Sequence, residues 1–266
     1  MTRPAPTDIP VFILCGGMGT RLREETEYRP KPMVEIGGRP ILWHIMKVYA
    51  AAGFSNFVIC LGYKGDIIKD YFLNYEAMHN DFTIELGRSD GIVYHGTHHE
   101  AGWRVTLVDT GIHSMTGARV KRAARHLAGD RFMLTYGDGV ANVDVNALLA
   151  YHQSSGTIGT VTGVRPRSRF GELISDGGRV IQFSEKPQTH EGLINGGFFV
   201  FERRFLDYLS EDPKCQLEEE PLERLAADTQ LSVFAHTGFW QCMDTFRDYQ
   251  VLNQLWDQGQ AEWKMW

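Results

Sequence analysis

Apolar positions along the chain alternate between two kinds of run. Val11–Leu14, Phe57–Leu61, Val105–Val108 and Phe132–Thr135 are short and almost continuously hydrophobic, which predicts strands buried on both faces. Between them the spacing is helical. Ile41, Leu42, Ile45, Met46, Val48, Tyr49 and Ala52 share one face of a helix that ends at Gly53. Asp66–Tyr75 and Ala118–Leu127 predict two further helices. Strand and helix in alternation imply a mostly parallel, doubly wound α/β sheet of Rossmann-like character.

After Tyr151 the pattern changes. Thr157–Val164, Leu173–Ser175, Val180–Phe183 and Phe198–Phe201 read as strands, and Asp176-Gly177-Gly178 is a hairpin signal. The sheet is therefore expected to be mixed. Glu219–Ala227 predicts an amphipathic helix and Leu231–Phe234 a last core strand. Thr245–Trp256 predicts a closing helix that starts near Asp244 or Thr245. With no repeat, low-complexity run or linker in sight, residues 1–266 read as one domain.

Composition narrows the class. The 266 residues are 43% hydrophobic and 23% charged, ordinary for a globular chain with a sizeable core. A net charge of -6 provides no global field for nucleic acid. Any cations that meet anionic substrates must be concentrated locally. Cys15, Cys60, Cys215 and Cys242 form no CxxC pair and match neither a zinc site nor a disulfide framework. Free thiols in a reducing cytoplasm are the expectation. Residues 1–10 do not read as a signal peptide, and no run approaches a membrane span.

The segment Leu14-Cys15-Gly16-Gly17-Met18-Gly19-Thr20-Arg21-Leu22 leaves the first strand directly. Glycines there let backbone amides approach phosphate oxygens, and a guanidinium at Arg21 can grip a phosphate with two hydrogen bonds. A P-loop would need GK[ST] and a dinucleotide fingerprint GxGxxG; this loop has neither. In Pro30-Lys31-Pro32 the prolines restrict the backbone on both sides of the lysine, predicting a stiff, extended mount for one ammonium. Asp138 stands between Gly137 and Gly139 at a predicted strand end, where open α/β sheets bind ligands. Asp244 opens the last helix and reads equally as an N-cap.

Gly16 to Leu22 followed by Pro30-Lys31-Pro32 resembles the signature of the sugar nucleotidylyltransferases. The resemblance is closest to the glucose-1-phosphate cytidylyltransferases, through Lys31 to Gly38, Ile41 to Met46, Gly62 to Gly65, Leu107 to Gly111, Tyr136 to Gly139, Ile194 to Val200 and Gly238 to Thr245. It runs nearly end to end and implies their nucleotidyltransferase (glycosyltransferase-A-like) fold, with the sugar-binding half roughly within 157–245. It implies a nucleotide site at Leu14, Gly16, Gly17, Gly19, Thr20, Arg21, Lys31, Thr110, Thr116, Gly117, Arg119, Gly137 and Asp138. Arg119 would reach the cytosine, with Thr116 and backbone amides supplying donors to O2 and N3. The resemblance places Mg²⁺ on Asp138 and Asp244, the phosphate of the sugar 1-phosphate on Lys186, and the sugar hydroxyls on Glu185 and Asn195, with Gly171 allowing close approach. It also implies a homo-oligomer, a hexamer. The aromatic stretch Glu262-Trp263-Lys264-Met265-Trp266 must pack against something, either a second subunit or its own.

The implied reaction joins CTP and glucose 1-phosphate to give CDP-glucose and pyrophosphate, with Arg21, Lys31 and Lys186 as the catalytic cations. Three alternatives stay open on the sequence: dTTP, UTP or another sugar 1-phosphate in the same reaction, a nucleotide-sugar glycosyltransferase, and an inactive homologue that senses nucleotide.

Overall fold

The computed structural model describes residues 8–88, 91–165, 172–176, 178–184 and 192–266. Its centre is a seven-stranded sheet in the order β14-β10-β13-β8-β1-β4-β7. These strands are β1 (Val11–Cys15), β4 (Asn56–Leu61), β7 (Arg104–Asp109), β8 (Arg131–Tyr136), β10 (Gly159–Val164), β13 (Ile194–Glu202) and β14 (Leu231–His236). Four two-stranded ribbons accompany it: β2 (Glu35–Ile36) with β3 (Arg39–Pro40), β5 (Asp81–Ile84) with β6 (Ile92–His95), β9 (Gly139–Ala141) with β15 (Trp240–Cys242), and β11 (Glu172–Asp176) with β12 (Arg179–Ser184). The helices are α1 (Arg23–Thr26), α2 (Ile41–Ala51), α3 (Gly65–Leu73), α4 (Tyr75–His79), α5 (Thr116–Ala123), α6 (Val145–Ser155), α7 (Glu220–Ala227) and α8 (Phe246–Asp257).

The mixed, doubly wound sheet is as expected. β1 lies parallel to both β4 and β8, and β4 to β7, while β13 runs antiparallel to β8 and to β10. Alternate residues of each buried strand serve opposite faces. Val11 and Ile13 join a core with α2, α6 and α8, whereas Phe12 and Leu14 join a second core with α5 and α7. The chain moves outward from β1 to β4 and β7, then returns to β8 on the other side of β1. The carboxyl ends of β1 and β8 therefore face a topological switch point, the usual ligand crevice of open α/β sheets.

Several details differ from the sequence reading. α6 was not anticipated, although Asp144 caps it by accepting from Ala147 N at 2.8 Å and Gly156 ends it with φ 68°. β14 is an edge strand of mostly half-buried residues rather than a core strand, because β10 covers only one of its sides. The helix expected from Ala118 starts at Thr116 and gives way to a 3-10 turn at Ala124–His126. Lys31 lies in a short 3-10 turn, Lys31–Met33, rather than in an extended segment.

The C-terminal aromatics dock on their own subunit. Trp263 is fully buried in the core that includes α2 and α8, and Trp266 packs edge-on against Trp43. This stretch therefore gives no argument for a second chain. His44, buried on α2, hydrogen-bonds the Ile36 carbonyl through Nε2 at 2.8 Å, and its Nδ1 accepts from the Trp263 indole at 3.4 Å. Both contacts fit the neutral ring, since a second ring proton would meet the indole N–H. Burial pushes the ring pKa down to about 4, against the opposing effect of the hydrogen bond that the ring donates to the Ile36 carbonyl. Between its ordinary value of 6.5 and about 4, the unfolded chain takes up a proton that the native ring refuses. Stability is thus fully present above that window and falls on acidification through it, by about 3 kcal/mol from this group alone. Urea midpoints at pH 7 and pH 4.5 should show the loss in the parent protein, and the loss should shrink in His44→Gln.

Candidate functional site

The glycine loop begins where β1 ends. Gly19 has φ 63°, and a Cβ there would come within 2.8 Å of the Thr26 side chain, so a larger residue would have to push it aside. Thr26 closes the loop by donating to the carbonyls of Gly19 at 3.0 Å and Leu22 at 2.8 Å. Tyr63 N donates to Gly16 O at 3.2 Å and ties the loop to the end of β4. On the other side, Gly137 N donates to Leu14 O at 3.0 Å, which continues the β1–β8 pairing to the rim.

Two carboxylates converge on one lysine here. Asp138 leaves β8. Asp244 leaves β15, which pairs with β9 in the register Cys242↔Gly139, and Met243 N donates to Asp138 O at 2.8 Å. Lys31 Nζ lies 2.7 Å from Asp138 Oδ2 and 2.6 Å from Asp244 Oδ1, with its side chain only 11% exposed. Arg21, 75% exposed, holds Asp244 Oδ2 at 3.0 Å. Burial works against the Lys31 ammonium, but the two carboxylates outweigh it and hold the pKa above the ordinary value. Burial likewise opposes the charged form of Asp244, and Lys31 with Arg21 outweighs it and lowers the pKa. Asp244 is not the cap of α8. Thr245 and Asp248 form a reciprocal capping box, which leaves the Asp244 carboxylate to the cations.

These groups line a cleft of about 330 Å³. Leu14, Gly16, Gly17, Gly19, Thr20, Arg21, Lys31, Thr116, Arg119, Gly137, Asp138 and Asp244 all reach it. Thr110 and Gly117 do not line it. Thr110 is buried, donating to Leu61 O at 2.5 Å and accepting from Arg119 at 2.9 Å. A Cβ on Gly117 would come within 2.7 Å of Cys215 Sγ, so glycine lets α5 pack on that segment. Arg119 is 4% exposed, and its guanidinium donates to the carbonyls of Leu61, Gly111 and Gly16 at 2.9, 2.8 and 2.9 Å. Asn195 approaches through Tyr136, donating to its hydroxyl at 3.1 Å. Gly171, Glu185 and Lys186 lie outside the described residues.

Sequence reasoning missed Ser114, Met115 and the role of Tyr136 in the lining. It also missed Glu218, which accepts from both Thr116 and Tyr136. Tyr136 stood beside Asp138 in a motif already singled out, but Glu218 sits in an acidic run that reads as solvated.

The nucleotidyl transferase family model matches residues 11–256. The chain belongs to the nucleotidyl transferase family. It is 49% identical to a glucose-1-phosphate cytidylyltransferase of Salmonella typhi, over 96% of this chain and 98% of that one. A probable glucose-1-phosphate cytidylyltransferase of Bacillus subtilis is 45% identical over the same shares. Among solved structures, HddC from Yersinia pseudotuberculosis complexed with GMP-PN matches with a TM-score of 0.66 and 22% identity, over 93% of this chain and 99% of that one; this likeness concerns the fold.

A divalent metal fits this nucleotidyl transferase cleft by its donor chemistry. Mg²⁺ is commonly held by one or two carboxylates together with substrate phosphates and water. Asp138 and Asp244 present one oxygen each within 2.7 Å of a single point, the Lys31 nitrogen. Among the described residues no group of three or more His, Cys, Asp or Glu side chains competes as a metal site. Lys31 and Arg21 balance the two carboxylates, so a divalent ion gains little by entering without phosphates. Lys31→Met should therefore bind Mn²⁺ in the absence of nucleotide at least about tenfold more tightly than the parent, given the size of a charge–charge term at this range. Titration followed by electron paramagnetic resonance reads this directly, and equal affinities would contradict it.

Proposed function

We propose that this chain transfers the cytidylyl group of CTP to glucose 1-phosphate, forming CDP-glucose and releasing pyrophosphate. The observation that carries the reading is the meeting of Lys31, Asp138 and Asp244 beside the Gly16–Thr20 loop at the β1/β8 switch point. Such a cleft offers amides and cations to a triphosphate and paired carboxylates to its metal. The likeness to the cytidylyltransferase of Salmonella typhi supports cytosine and glucose as the specific choices.

An oxygen of the glucose 1-phosphate attacks the α-phosphorus in line. The new P–O bond forms as the bond to the β-phosphate oxygen breaks, and pyrophosphate leaves. No general base is required, because a phosphate monoester is already largely ionised at pH 7. Catalysis is then positioning and charge neutralisation. The glycine loop and Thr20 cradle the triphosphate, Arg21 holds the leaving pyrophosphate, and Lys31 turns from its carboxylates to the α-phosphate. Thr110 and Gly117 act from behind the wall, through Arg119 and the start of α5. Bound Mg²⁺, on Asp138 and Asp244, would neutralise charge on the phosphates. The half within 157–245 takes the sugar: Asn195 reaches the hydroxyls, and Glu185, Lys186 and Gly171 complete that side.

The chain is proposed to act in the cytoplasm, which its four free cysteines support, and as a homo-oligomer. Among the described residues no helix is long and apolar enough to cross a membrane. The β5–β6 ribbon leaves Phe82, Ile84, Ile92 and Tyr94 exposed on one face, an apolar surface suited to a second copy of this chain. Light scattering at micromolar concentration should give an oligomer, and a monomer would refute this part.

Four nucleoside triphosphates crossed with several sugar 1-phosphates, read by pyrophosphate release, test the main reading. CTP with glucose 1-phosphate should rank first. A higher rate with UTP or dTTP for every sugar phosphate would overturn the cytidylyl assignment. Calorimetry separates the cations: Arg21→Ala should weaken CTP binding about tenfold, the scale of one charge-assisted contact. Lys186→Ala should spare CTP and weaken glucose 1-phosphate, and equal loss of CTP affinity in both would put Lys186 on the wrong substrate.

A further inference from the structure

The turn Gly62-Tyr63-Lys64-Gly65 joins β4 to α3 beside the glycine loop. Glycine stands at two of its positions for space. A Cβ on Gly62 would come within 2.3 Å of the Arg119 guanidinium, and one on Gly65 within 3.0 Å of the Leu61 side chain. At Lys64 the demand is different. Its backbone is left-handed, with φ 49° and ψ 36°, where a Cβ crowds the following carbonyl oxygen. Among the described residues only Thr229 shares a positive φ without being glycine. A lysine thus occupies the one position of the turn where the backbone favours glycine.

The contacts of the Lys64 side chain account for that choice. Its ammonium donates to Glu27 O and lies 5.4 Å from the centre of the Tyr63 ring. Tyr63 adds two contacts of its own. Its N donates to Gly16 O at 3.2 Å, and its hydroxyl makes a long bond of 3.5 Å to Thr26 O. The glycine loop begins at Gly16 and returns at Thr26 and Glu27, with Thr26 closing it through Gly19 O. Two adjacent residues therefore hold both feet of the loop. Between the feet, Gly17, Met18, Thr20 and Arg21 are exposed. An exposed glycine-rich loop loses much conformational freedom when it closes on a phosphate. Fixing its feet in the unliganded chain removes part of that cost from binding.

We infer that Lys64 is a positioning residue for the nucleotide site: its left-handed backbone aims the ammonium at the Glu27 carbonyl, and with Tyr63 it pre-orders the glycine loop for a triphosphate. The inference rests on the nucleotide reading above. Lys64 acts through the loop backbone and touches no phosphate in this role. The backbone strain is kept because the side chain over-determines it, as recurs at functional sites.

Strain and tether predict opposite effects of one substitution, which separates this role from a structural one. The test measures melting temperature, amide exchange of residues 17–27 without ligand, and the Kd for CTP by calorimetry, in the full chain and three variants. Lys64→Gly suits the backbone and removes the tether. Its melting temperature should stay the same or rise, since glycine fits this φ and a surface loop opens below the global transition. Its loop amides should nevertheless exchange faster, and CTP should bind about tenfold more weakly, the size of one hydrogen bond from a charged donor. Lys64→Met keeps the aliphatic stem, loses the ammonium, and should show the same two losses. Lys64→Arg restores a cationic donor and should bind CTP as the parent does. A merely structural lysine would lose stability and affinity together, so a lower melting temperature in Lys64→Gly would overturn the inference. So would CTP affinities within about threefold of the parent in both Lys64→Gly and Lys64→Met. Weaker CTP binding with unchanged loop exchange would put Lys64 on the nucleotide itself and end the positioning role. A parent chain that binds no CTP, while Lys64→Gly still speeds loop exchange, would instead remove the nucleotide reading and leave the tether in place.

Discussion

A single ammonium between two carboxylates holds this cleft together. Lys31 comes from the turn that follows the glycine loop, Asp138 from the end of β8 and Asp244 from the end of β15, separated from Lys31 by 107 and 213 positions. Left alone, the two aspartates would repel one another across a half-buried space, and removing either partner of such a contact leaves a poorly solvated charge. The β9–β15 ribbon fixes the spacing from the backbone side, through Cys242↔Gly139 and the bond from Met243 N to Asp138 O. The arrangement is neutral as it stands once Arg21 is included. In the proposed function Lys31 would turn to a phosphate, which would leave the two carboxylates free to hold a metal.

Arg119 performs a comparable task in the wall. Its guanidinium gathers the carbonyls of Gly16, Leu61 and Gly111, which follow or end β1, β4 and β7. Three neighbouring strand ends are thereby fixed to one planar donor set. Burial opposes the charge and lowers the pKa of the group, and carbonyl dipoles rather than a carboxylate pair with it. A cation placed this way contributes positive potential to the nucleotide side of a chain whose net charge is -6. Glycine at position 16 follows from the same contact, since a Cβ there would lie 2.1 Å from the guanidinium carbon.

What the sequence made legible follows from the range of the forces involved. β1, β4 and β8 are apolar runs because both faces are covered, and α2 carries its own period, so these elements were read from local pattern; β7 was read the same way, although as an edge strand it buries only Val108 fully. The glycine loop, Lys31 and Asp138 stood out because each lies in a motif with a constraining glycine or proline, whereas Asp244 read equally as an N-cap and entered through the family resemblance. The ribbons β9–β15 and β5–β6 were not found, since strands of three or four residues are defined only by their partners. α6 was overlooked although Asp144, Val145, Leu148, Leu149 and Gly156 mark its cap, face and end. Its polar last turn blends into the strand-rich region that follows. Glu218 left no signal at all, because its meaning lies in hydroxyls 82 and 102 positions away.

The reversed strand explains how Asn195 reaches the same rim as the glycine loop and Asp138. Parallel strands deliver only their carboxyl ends to the crevice, and β1 and β8 spend theirs on the glycine loop and Asp138. β13 runs antiparallel to β8, in the register Phe198↔Thr135, so its amino end arrives at the same edge. Asn195 and Gly196 thus stand beside Tyr136 at the start of a strand rather than at its end. Trp240 then locks that start to β15 by donating from its indole to Gly196 O at 2.7 Å. A substitution that loosened β13 at Gly196 would therefore disturb the Tyr136–Asn195 contact and the Asp244 mount together, because Trp240 of β15 joins the two.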